Sequence, residues 1–147
     1  NVFMKKCEDV FEVSNKFLNE NKLKEDYDIL IVDFHGEITS EKNAIAHFFD
    51  GKATLVVGTH THIPTNDARI LNSGTGYQTD AGMCGDYDSV IGMNKENSLN
   101  KFLKKKSTKH FPAIGDATLC GVIVECDIKT GLAINIQSYI YGNHLKN

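Results

Sequence analysis

Two short apolar runs, YDILIVDF (27–34) and ATLVVG (53–58), flank a segment that reads as a helix, and this spacing constrains the fold most. Each run is continuous, as in a strand buried on both faces. Between them, HGEITSEKNAIAHFFDG (35–51) supplies a loop and then a helix. Thr39 or Ser40 is its expected cap, Glu41 stands in its first turn, and Gly51 can end it. Strand, helix and strand with such short connections make a βαβ unit with parallel pairing. Open parallel sheets form their sites at the carboxyl ends of the strands. His35 follows the first run directly, and His60 and His62 follow the second in VVGTHTH (56–62). In extended backbone, side chains at i and i+2 share a side, so His60 and His62 are expected to converge beside His35.

The remainder extends this core. Residues 2–26 carry Val2, Phe3, Val10, Phe11, Val13, Phe17, Leu18 and Leu23 in a helical stripe. ARIL (68–71) and GYQTDAG (76–82) read as strands around the turn NSGTG (72–76). The Gly-rich DAGMCGDYDSVIGM (80–93) reads as an ordered loop, and NKENSLNKFLKKKSTKH (94–110) as a short helix with Leu99, Phe102 and Leu103 inward. TLCGVIVECD (118–127), the turn IKTG (128–131) and LAINIQSYIY (132–141) form a hairpin. Its second strand sets Ile134, Ile136 and Ile140 on one apolar face. No repeat or linker divides the chain, which reads as one α/β unit.

With 147 residues, 41% hydrophobic and 24% charged, the composition is that of one globular domain. The net charge of -3 excludes a strongly basic nucleic-acid binder. KFLKKKSTKH (101–110) could be an RNA-binding patch, but one aromatic and no arginine favour a solvated helix end. No apolar run reaches the roughly 20 residues of a membrane span, and the first residues lack the apolar centre of a signal peptide. A cytoplasmic protein is expected. Cys7, Cys84, Cys120 and Cys126 form no C-x-x-C pair, which favours buried reduced thiols over disulfides or a zinc cluster.

Among the histidines, His35, His60 and His62 are the candidate metal ligands, since neutral imidazole suits transition metals. His47, His110 and His144 stand in a helix, after a lysine run and near the end, and read as ordinary polar residues. Asp33 and Glu37 flank His35, and either could orient an imidazole; Glu37 could equally cap the following helix. Arg69, the one arginine, could meet a substrate phosphate, although a structural ion pair is the better reading. Asp80, Gly82 and Gly85 could shape a nucleotide pocket or a subunit contact. The H-x-H-x-D-H pattern of metallo-β-lactamases does not fit, because Ile63, Pro64 and Thr65 follow His62.

GTHTH after a buried strand resembles the closing G-H-x-H motif of calcineurin-like metallophosphoesterases, with a lone histidine after the preceding strand. VDFHGEITSEKNA, DGKATLVVGTHTHIPTNDARIL and GYQTDAGMCGDYDSVIGM narrow the resemblance to YmdB-type 2′,3′-cyclic-nucleotide phosphodiesterases, from about residue 1 to the hairpin. It implies half of an α/β/β/α sandwich. By the same resemblance His35 and His60 match the ligands of one metal, and His62 matches a ligand of a second. In that family two ions, iron or manganese, activate a bridging hydroxide, and the 2′ ester of a cyclic nucleotide is opened.

The family's first-half motifs, including the bridging Glu and the catalytic-acid His of an N-H pair, are absent from these 147 residues. The chain is therefore expected to be the C-terminal part of one metallophosphoesterase domain, in keeping with its start at Asn1 and with no catalytic acid of its own. The alternative is an inactive remnant acting as an oligomerising or binding module. A sheet cut from a sandwich exposes an apolar face, so a chain standing alone is expected to self-associate. A nucleotide or other phosphodiester is the expected small-molecule partner.

Overall fold

The computed structural model describes residues 7–105 and 109–145. The expected first helix is shorter than its apolar stripe: α1 spans Val10–Glu20, where the Asp9 side chain accepts the Phe11 and Glu12 N–H groups and caps it. Residues 2–6 of that expectation lie outside the described part. The chain leaves α1 at Asn21, whose backbone is extended.

The βαβ unit is present as β1 (Ile31–His35), α2 (Thr39–Phe48) and β2 (Leu55–Thr59). The two strands pair in parallel, with His35 opposite Thr59. Strand β4 (Gly76–Gln78) adds in parallel to β2, and β3 (Arg69–Ile70) returns antiparallel to β4, giving the order β1-β2-β4-β3. Ile45, Ala46 and Phe49 from α2 and its end meet Val56 and Tyr77 of the sheet in the buried core, with Val10, Phe11 and Leu18 of α1 packed on it.

One strand departs from expectation. β1 is not buried on both faces: it is the edge of its sheet, its residues alternate, and Ile31 is 58% exposed. A continuous apolar run cannot reveal whether a neighbouring strand exists on its far side. Nor does Thr39 or Ser40 cap α2, whose N-cap Ile38 makes no side-chain cap bond.

The second sheet is β5 (Gly85–Asp86), β6 (Ala117–Cys126) and β7 (Ala133–Tyr141), all antiparallel. The hairpin forms as expected, with Gly131 at φ 71° closing its turn. It lies against the first sheet: Ser138 Oγ donates to Gln78 Oε1 at 2.9 Å, and Thr54 Oγ1 donates to the Gly131 carbonyl at 2.6 Å. The apolar face of β7 is incomplete, since Ile134 is 63% exposed. Helices, one sheet and a second sheet make three successive layers, half of a metallophosphoesterase-type α/β/β/α sandwich.

Helix α3 (Lys95–Phe102) corrects a further expectation. Ser98 is its buried residue, while Leu99, Leu103 and Phe102, the last 77% exposed, face outward. Polar bonds hold this helix instead: the Asn94 side chain caps Asn97 N–H, and Asn97 Nδ2 donates to the Lys109 carbonyl. Cys84, Cys120 and Cys126 form no disulfide, and only Cys120 is buried. Among the described residues, no helix is long and apolar enough to cross a membrane.

Candidate metal centre

Residues that follow β1 and β2 meet at the carboxyl edge of the parallel pair. His35 and His60 touch, with Nδ1 of His60 3.1 Å from Nε2 of His35 and the rings at 72° to each other. Two donors of one ion, each about 2.0–2.2 Å from it, stand roughly 3 Å apart. The pair therefore has the spacing of neighbouring ligands.

The other atoms of the two rings are engaged as well. Nδ1 of His35 lies 3.1 Å from Thr59 Oγ1, and that hydroxyl donates to Asp33 Oδ1 at 3.0 Å. Nε2 of His60 is in contact with a Glu37 carboxylate oxygen. Glu37 thus orients an imidazole rather than capping α2.

His62 is held by a different partner. Strand β2 ends at Thr59, and the next residues bend: His60 has φ 144° and His62 φ 65°. Two non-glycine residues at positive φ cost of order 1–3 kcal/mol each, a strain that clusters at functional sites. The bend cancels the i, i+2 alternation of a strand, so His60 and His62 do not converge by extended periodicity. Nδ1 of His62 donates to the Ile91 carbonyl at 2.8 Å, and the Tyr87 hydroxyl reaches the His62 carbonyl at 3.0 Å. Burial, then the adjoining Cys120 thiol, push the Tyr87 phenol above its ordinary pKa, so it remains a neutral donor. Among the described residues no three His, Cys, Asp or Glu side chains are grouped so as to hold an ion unaided. The donors present fit a fragment of a centre: one converged pair and one further imidazole on the same loop.

The loop owes its shape to a pair that motif reading missed. Lys42 Nζ of α2 donates to Asp80 Oδ2 at 2.8 Å, with both side chains 1% exposed. The same oxygen accepts Thr61 N–H at 2.9 Å, between the two histidines, and Oδ1 accepts Gly82 N–H at 3.0 Å. Burial would raise the Asp80 pKa, but these three donors outweigh it and hold the carboxyl below its ordinary range. The sequence did carry a sign: Lys42 shares with Ile45, Ala46 and Phe49 the i, i+3, i+4, i+7 stripe that α2 buries. Just before the bend, Gly58 admits no other residue, since a Cβ there would lie 1.9 Å from the Thr79 carbonyl oxygen.

The remaining candidates separate. Arg69 makes the structural ion pair, to Asp67 at 2.8 Å, bonds Asn43 Oδ1 and lies over the Tyr77 ring. His47 is exposed, His110 meets Lys101 Nζ, and His144 lies 3.9 Å from Asp86. Asp80 shapes the histidine loop, while Gly85 pairs β5 to β6.

The fold is half of a metallophosphoesterase-type α/β/β/α sandwich. The chain belongs to the YmdB-like protein family, whose model matches residues 1–139. It is 39% identical over 135 residues to a 2′,3′-cyclic-nucleotide 2′-phosphodiesterase of Bacillus subtilis (strain 168), covering 92% of this chain and 50% of that protein. A crystal structure of a hypothetical protein from Thermus thermophilus superposes with TM-score 0.86 at 39% identity, covering 97% of this chain and 54% of that one. A crystal structure of a novel phosphatase from Mycoplasma pneumoniae does so with TM-score 0.85 at 37% identity, covering 97% and 50%. The chain spans about half the length of these relatives.

Proposed function

We propose that this chain is the metal-binding C-terminal part of a phosphodiesterase that opens 2′,3′-cyclic nucleotides at the 2′ ester, with two iron or manganese ions as cofactors. The observation that carries the reading is the His35–His60 nitrogen pair, set at ligand spacing at the end of a parallel strand pair. The relative of Bacillus subtilis supplies the reaction and the substrate class. In this reading His35 and His60 hold one ion, His62 contributes to the second, and residues outside these 147 supply the other ligands and the acid.

The tautomers agree. Ile91's carbonyl fixes the proton of His62 on Nδ1, which leaves Nε2 for coordination. Glu37 accepts from Nε2 of His60 and leaves Nδ1 turned toward His35. Bound ions would lower the pKa of water at the site and neutralise charge on the phosphoryl oxygens. The protein's own work is to hold imidazoles bare, aimed and fixed on a rigid sheet edge. The reduced thiols of Cys84, Cys120 and Cys126 fit a reducing, cytoplasmic setting.

The test uses the full-length protein loaded with Mn²⁺ and given 2′,3′-cyclic AMP. Hydrolysis to the 3′-nucleotide is expected, with a fall of at least about 100-fold for His35→Ala or His60→Ala. Undiminished turnover in both variants, or none in the metal-loaded wild type, overturns the reading.

A further inference from the structure

We infer that Asp33 and Thr59 form a hydroxyl relay that sets the tautomer of His35; the inference rests on the metal-site reading above and names two positioning residues for it. The donor logic is closed. A threonine hydroxyl has one proton, and Thr59 gives it to Asp33 Oδ1 at 3.0 Å. Its oxygen can then only accept from His35 Nδ1, 3.1 Å away, which places the imidazole proton on Nδ1. Nε2 is left bare, and Nε2 is the atom that faces Nδ1 of His60.

The relay also explains why the site attracts a cation. Glu37 draws the His60 proton to Nε2, so the neutral pair presents two lone pairs to each other at 3.1 Å. Such a contact is repulsive unless a positive charge lies between, either a proton or a metal ion. Asp33 and Thr59 hold half of this arrangement without touching the ion.

Register makes the relay possible. Asp33 and His35 project from the same side of β1, and parallel pairing sets Thr59 opposite His35. A hydroxyl at the last residue of β2 is therefore within reach of both. A valine there would keep the shape and remove the acceptor.

The test is Thr59→Val in the full-length protein, with Thr59→Ser as the hydroxyl-retaining control and Asp33→Asn as the second variant. Two readouts are taken: imidazole ¹⁵N shifts of the metal-free protein, which report the His35 tautomer, and Co²⁺ affinity by titration. Thr59→Val is expected to lose the Nδ1–H signature and weaken Co²⁺ binding about 10–100-fold, with Thr59→Ser near wild type. Asp33→Asn, whose amide oxygen can still accept the Thr59 proton, is expected to move both readouts less. Circular dichroism checks that each variant is folded. Wild-type tautomer and Co²⁺ affinity within twofold in folded Thr59→Val overturn the relay. Failure of the wild type to bind Co²⁺ or Mn²⁺ overturns instead the metal-site reading, and the ¹⁵N shifts still judge the relay.

Discussion

The four-stranded sheet and the β5–β6–β7 sheet differ in what holds them. The first is closed by α2 over Ile45, Phe49, Val56 and Tyr77, and it carries the buried Lys42–Asp80 pair. The second buries Cys120 and Thr118 but leaves Leu119, Ile123, Ile134 and Tyr141 open. Its long hairpin is held chiefly by its backbone ladder. The site lies on the first. A centre that must hold imidazoles within tenths of an ångström belongs on the element whose own core fixes it, while the loop that follows β5 supplies the Tyr87 and Ile91 contacts to the His62 backbone and ring.

The largest expected effect that would break this contrast comes from Lys42. Lys42→Ala leaves the Asp80 carboxylate buried and unpaired, which costs about 3–5 kcal/mol. Leu119→Ala on the open face should change stability by less than about 1 kcal/mol. Urea denaturation compares the two, and equal losses would mean that the two sheets form one cooperative core.

Acid sharpens the same comparison. Asp80 has a lowered pKa when folded, so its contribution is present above the ordinary carboxylate value and declines as pH falls from about 4 through the folded value. Protection of the Thr61 and Gly82 amides from hydrogen exchange, corrected for the intrinsic rate at each pH, should fall across that window in the wild type. In Asp80→Asn the protection should already be low at neutral pH and should change little across the window. Slow exchange in that variant would show that backbone packing alone holds the loop.

The smallest effect concerns the outer surface. Phe102 and Ile114 are 77% and 97% exposed, and changing either to Ser should alter folding stability by only about 0.5 kcal/mol. The same changes should lower self-association of the chain in sedimentation velocity, because solvent-facing apolar side chains favour contact with another surface. Unchanged sedimentation would remove these two side chains from any oligomer contact.

Much of this was legible in the chain. Apolar runs 27–34 and 53–58 with a helix between them specify parallel pairing, and the alternation of 118–141 specifies the hairpin. The edge position of His35 and His60 follows from the strands they terminate. Leu99, Phe102 and Leu103 misled, because a helical stripe states that a face is apolar and not that anything covers it. The second candidate pair, His60 and His62, misled for a different reason. Their H-x-H spacing presumes extended backbone, whereas positive φ at both residues turns one ring to His35 and the other to Ile91.

Periodicity and residue type, both local properties, thus marked β1, β2 and the C-terminal hairpin and put His35 and His60 at the sheet's end. They did not mark β5 (Gly85–Asp86), which lies in the Gly-rich run read as a loop. Tertiary structure decided what no local pattern encodes: the Lys42–Asp80 bond across 38 residues, the Thr59 hydroxyl between Asp33 and His35, and the bend that brings His62 to the Ile91 carbonyl. Each depends on where distant backbone is placed, and a hydrogen bond made over an ångström or less of tolerance exists only once that placement is fixed.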